Sequence, residues 1–154
     1  MIPARVVEVL QGPSVMQVGT RNGELRPAHS YVWGAIVHDD RRTITIFVTR
    51  RRSPRILSNL ENNGRVALTF GQASHETYQL KGSYVSSRPA SDEDYAFQEA
   101  YRAKLWPAIA EFWPEEMVKP MFLGAEYRPS VGITFQVEEV FEQTPGPRAG
   151  SQLV

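Results

Sequence analysis

Six stretches of this 154-residue chain are either alternately apolar and polar or dense in β-branched and aromatic residues, and turn-forming residues separate them. They read "VMQVGT", "LRPAHSYVWGAIVH", "TITIFVT", "RVALTFG", "TYQLKGSYVSS" and "VGITFQVEEVFEQ". A period of two places alternate side chains on opposite faces of a sheet, so a β fold is required. Several of the links are tight: "RNGE" with its Asn-Gly signal, "DDRR" and "QASHE" are all hairpin-like, which makes neighbouring strands antiparallel. Pro27 marks an irregularity near the start of the second run. An open sheet of six strands leaves two unpaired edges, and closing it removes them, so a small β-barrel is expected.

Helices are inserted between these strands. "PARVVEVLQ" is a short one opened by Pro3 and closed by Gly12-Pro13. "SPRILSNLENNG" has Ser53 as the expected N-cap, Pro54 at the first helical position and Gly64 just past the end. "SDEDYAFQEAYRAKLWPAIAEFW" starts at a Ser91 cap with Asp92, Glu93 and Asp94 in its first turn, and is expected to bend or end near Pro107. Its aromatic residues Tyr95, Phe97, Tyr101, Trp106, Phe112 and Trp113 are expected to pack mainly into the core. Residues 1–154 form a single domain, with the Pro/Gly-rich tail 144–154 extended or mobile.

What the chain does is constrained first by charge. Seventeen basic and seventeen acidic residues cancel, which argues against a protein that lives on nucleic acid or on an anionic membrane. There is no cysteine, hence no disulfide framework, thiolate nucleophile or cysteine metal site. His29, His38 and His75 are widely separated and no metal is expected. No signal-peptide or membrane-spanning run is present, so a cytoplasmic location is the expectation. Against this neutral background "FVTRRRSPR" stands out, because a strand feeds three arginines into a proline-initiated helix. Free N–H groups, the positive end of a helix dipole, a hydroxyl and guanidinium forks then converge, as a phosphate site requires; the alternative is a solvated hairpin edge whose arginines keep it soluble.

The succession "WGAIVHDDRRTITIFVTRRRSPRILSNLENNGRVALTF…YQLKG" resembles the FMN-binding split-barrel proteins of the pyridoxamine 5′-phosphate oxidase superfamily, with "ITFQVEEVF" placed to complete the barrel. The resemblance implies a mainly β, six-stranded antiparallel split barrel with inserted helices, working as a homodimer with FMN across the subunit interface. Val48 and Thr49 match the strand end beneath the flavin, and Arg50, Ser53 and Arg55 match phosphate-holding positions. Trp33, Gly34 and Ala35 match the strand bordering the ring, although the family oxidase has an arginine where Trp33 stands. Thr77 and Gln79 match a strand that reaches the ring from the partner subunit.

By the same resemblance the protein is an oxidoreductase that passes electrons between NAD(P)H and an unidentified small molecule. The alternatives are a flavin-binding or stress-related module without turnover, or a relative that binds a deazaflavin or haem. The family oxidase holds its vitamin substrate with a C-terminal Arg-x-His segment. This chain has only Arg148 there, which argues against that substrate.

Overall fold

The computed structural model describes residues 1–120 and 126–154. Its strands are β1 (Val15–Arg21), β2 (Pro27–Val32), β3 (Ala35–Val37), β4 (Thr43–Thr49), β5 (Arg65–Gly71), β6 (Thr77–Pro89) and β7 (Ser130–Glu142). They form one antiparallel sheet in the order β2-β1-β5-β6-β7-β4-β3. Seven strands replace the expected six because "LRPAHSYVWGAIVH" is divided at Trp33–Gly34.

That division has a physical reason. The segment must serve both edges of the sheet: β2 pairs with β1, β3 pairs with β4, and the chain turns between them. Gly34 takes φ 122°, a region that L side chains avoid, and a Cβ there would lie 3.0 Å from the Phe97 ring. Trp33 N donates to Phe47 O (2.7 Å) and Phe47 N to Gly34 O (3.1 Å), so the turn itself is held to β4. The sheet is not closed by a continuous ladder. The bent β2–β3 segment instead brings its two edges together.

Val18, Ile44, Ile46, Leu68, Leu80, Ile133 and Phe135 have no exposed surface and fill the interior. Strand β4 is buried on both faces, which is why "TITIFVT" is nearly continuous in β-branched and aromatic residues; outside the barrel Phe47 meets Phe97, with ring centroids 6.2 Å apart. Long β6 stays paired with β7 through a bulge at Gly82, where an added Cβ would sit 2.0 Å from Gln136 O.

Among the described residues four α-helices accompany the sheet: α1 (Ala4–Gln11), α2 (Ser53–Asn63), α3 (Asp92–Ala110) and the short, unexpected α4 (Glu115–Val118). Helix α3 runs through Pro107 and stops three residues later. Of its aromatic stripe, Tyr101 is buried and donates its hydroxyl to Ser14 O (2.6 Å). Phe112 and Trp113, beyond the helix end, are 61% and 54% exposed and are not core. The tail is not extended throughout: it bends and turns over 144–150 and is tied back, with Gly150 N donating to Glu142 O (2.7 Å) and Leu153 N to Val140 O (2.7 Å), covering the far half of β7. Among the described residues no helix is long and apolar enough to cross a membrane.

The Ser91 cap forms a capping box. Asp94 N donates to Ser91 Oγ (3.2 Å) and Ser91 N donates to Asp94 Oδ2 (2.8 Å). Arg88 forks onto the same carboxylate, and its hydrogen bonds, followed by that of Ser91 N, hold the Asp94 carboxyl below its ordinary value of 3.8 despite burial, which opposes the shift. A carboxyl depressed in the folded state contributes stability above its unfolded pKa and loses it as pH falls. Urea midpoints should therefore drop between about pH 5 and about pH 3 in the wild type, and drop less in Asp94→Asn. At neutral pH that variant should already be about 1–2 kcal/mol less stable.

Candidate functional site

The strand-to-helix junction sets the site. Strand β4 ends at Thr49, and Arg50–Arg52 form a 3-10 turn before α2 begins at Ser53. Ser53 is therefore the first residue of α2 rather than its cap, because the turn extends the helical path backwards by three residues. Its hydroxyl, 3% exposed, donates to Arg50 O (2.9 Å) and stabilises that turn. Gly64 takes φ 70° and ends α2 as its position implied.

A 3-10 turn advances about 120° per residue, so its three arginines cannot share one direction. Arg50 N donates to Pro129 O (2.8 Å), fixing Arg50 against the segment that leads into β7. Its side chain borders a cleft on that side. Arg51 and Arg52 border a separate cleft of about 370 Å³, with His29 and Tyr31 of β2, Trp33 at the bend, Thr49 at the end of β4 and Glu126 opposite. Thr49 Oγ1 donates to Glu126 O (3.2 Å) across its floor.

None of Arg50, Arg51, Arg52 and Arg55 has an ion pair among the described residues. Two uncompensated guanidiniums beside one carboxylate leave the 370 Å³ cleft electropositive. Arg55 lies three residues beyond Arg52, on an adjoining part of the helix surface.

Of the residues singled out in the sequence, Trp33 and Thr49 border this cleft. Trp33 is 5% exposed, with Arg102 stacked 5.7 Å from its ring centroid and Tyr127 at 6.4 Å. Ala35 and Val48 are buried in the core, so only their backbone can approach a ligand. Gln79 and Thr77 lie elsewhere. Tyr31 is in register with Gln17, Gln17 with Thr69, and Thr69 with Gln79, so Gln79 is three strand spacings, about 14 Å, across the sheet face from Tyr31. Gln79 Nε2 donates to Thr69 Oγ1 (3.1 Å), and Gln17 Oε1 lies 3.2 Å from His29 Nε2. Thr77 borders a further cavity of about 380 Å³ with Phe70, Ile109 and Trp113.

Arg51, Arg52, His29, Tyr31 and Glu126 border this cleft without an individual assignment from the sequence. The arginine run itself was the signal for the first two, but which of its members share a cleft depends on the distant Pro129 contact. No local signal identifies Glu126.

The family model for pyridoxamine 5′-phosphate oxidase matches residues 2–142. No curated protein matches the chain. Among solved structures, HupZ from Group A Streptococcus is 18% identical, with a TM-score of 0.55 over 97% of this chain and 100% of that one. An F420 reductase is 14% identical, with a TM-score of 0.53 over 90% of this chain and 98% of the other. At these identities the likeness is one of fold. The family match runs through all seven strands and the arginine-bearing junction, and the chain belongs to the pyridoxamine 5′-phosphate oxidase family.

Proposed function

We propose that the chain binds FMN as a homodimer and serves as an oxidoreductase between NAD(P)H and a small molecule. The observation that carries this reading is the pair of uncompensated guanidiniums, Arg51 and Arg52, beside Trp33 and Tyr31 in one cleft at the entry to α2. The donor set suits a phosphate ester attached to a flat ring system: planar forks for the phosphate oxygens, aromatic walls for the rest.

When bound, FMN supplies two-electron transfer at its ring. The chain's own contributions are simpler. Arg51 and Arg52, with Arg55 behind them, hold the phosphate. Trp33 and Tyr31 wall the cleft against water, and Arg102 over the Trp33 face adds positive potential there. In a dimer Gln79 of the second chain reaches the ring. Its amide uses one N–H on Thr69 and keeps a second to donate.

Heat-denaturing the purified protein and weighing the released molecule tests the cofactor, and sedimentation equilibrium at micromolar concentration tests the assembly. FMN from a dimer is expected. A 17.4 kDa monomer would remove the shared site, and a deazaflavin or haem mass would replace the cofactor.

A second measurement addresses the ring. Negative charge builds on the flavin's pyrimidine edge on reduction, so Gln79→Leu should lower the midpoint potential by roughly 30 mV, the equivalent of one hydrogen bond of about 1.4 kcal/mol. An unchanged potential with FMN retained would dissociate Gln79 from the ring and direct attention to Thr77.

A further inference from the structure

The three-residue arginine turn faces two ways. While Arg51 and Arg52 border one cleft, Arg50 borders another of about 270 Å³, walled by Leu57, Pro129, Val131 and the Tyr95 ring, with Arg88 at its rim. This volume equals about nine waters, enough for a small organic molecule but not for a dinucleotide.

The charges at this cleft are unequal. Arg88 is committed: both of its terminal nitrogens donate to the Asp94 carboxylate, and Nη1 also donates to Pro89 O (3.2 Å). Arg50 has no ion pair among the described residues. Asp94, the nearby carboxylate, is already taken by Arg88 and by the Ser91 backbone. Arg128 is stacked 4.4 Å from the Tyr95 centroid and is itself paired with Glu99 (3.4 Å), so it too is committed. An uncompensated guanidinium thus stands beside apolar walls, its backbone anchored by the Arg50 N to Pro129 O bond.

We propose that this cleft is a second small-molecule site, which takes an organic anion with a flat apolar body, its head on Arg50 and its body between Leu57, Val131 and Tyr95. A carboxylate and a phosphate monoester offer Arg50 the same forked acceptor chemistry. The apolar walls favour either one over a bare inorganic ion. The site does not depend on the flavin reading, because none of its walls belongs to the 370 Å³ cleft.

Calorimetric titration of phenyl phosphate, benzoate and inorganic phosphate into the Arg51→Gln/Arg52→Gln protein isolates this cleft from its neighbour. Saturable binding of one phenyl phosphate or benzoate per chain is expected, at least tenfold tighter than inorganic phosphate. Adding Arg50→Gln should weaken it at least tenfold, with circular dichroism confirming that this exposed substitution leaves the fold intact. The relative strength of the two organic probes identifies the preferred head group. The proposal is overturned if Arg51→Gln/Arg52→Gln alone abolishes binding, if Arg50→Gln leaves it unchanged, or if neither organic probe saturates.

Discussion

Replacing Arg51 and Arg52 together by glutamine is expected to weaken FMN binding by about two to four orders of magnitude and riboflavin binding hardly at all. Each lost charge-assisted bond to phosphate costs about 1.5–3 kcal/mol, and each 1.4 kcal/mol is a factor of ten. Both side chains are exposed and neither has an ion pair among the described residues, so their removal leaves no carboxylate stranded. Riboflavin has the same ring and no phosphate, which makes it the internal control. Equal losses for the two ligands would mean that the arginines act through the fold. Unchanged FMN affinity would place the phosphate elsewhere.

The second large effect is on stability. Gly82→Ala forces a Cβ to within 2.0 Å of Gln136 O and 2.9 Å of its carbon, and both atoms belong to the backbone of the paired strand. No rotamer relieves such a contact. The bulge must open or β6 and β7 must part, at a cost near the top of the ~1–3 kcal/mol expected for overpacking. Gly19→Ala in β1 is the matched control, since a Cβ there meets nothing within 4 Å and should be neutral or slightly stabilising. Urea denaturation of the pair decides the matter: similar midpoints would show that β6 and β7 do not approach so closely at Gly82.

These two sites differ in how far the sequence revealed them. The run "TRRRSP" announced an electropositive junction by composition and punctuation alone. Pro54 and Gly64 framed α2 because their backbone preferences act locally. The splaying of the arginines was hidden, since it follows from a hydrogen bond to Pro129, far along the chain. The division of the second strand was hidden for a related reason: Gly34 lies in an apolar run that reads as uninterrupted β, and its positive φ matters only because Trp33 and Phe47 must pair across the seam. The tail was read from its Pro and Gly content as mobile or extended. Gly146 and Gly150, at φ 150° and 87°, instead let it double back onto β7.

The placement of β7 between β6 and β4 also bears on how the chain reaches this structure. Hairpins β1–β2, β3–β4 and β5–β6 join neighbours in sequence and can form during synthesis as each pair leaves the ribosome. Strand β4 cannot acquire its second neighbour until Ser130–Glu142 has emerged, after β5, β6 and the helices that follow them. Until then one side of the most continuously buried strand is an open edge. The nascent chain is thus most exposed to aggregation just before its last strand arrives, and closure of so non-local a pairing belongs among slow, high-contact-order folding reactions.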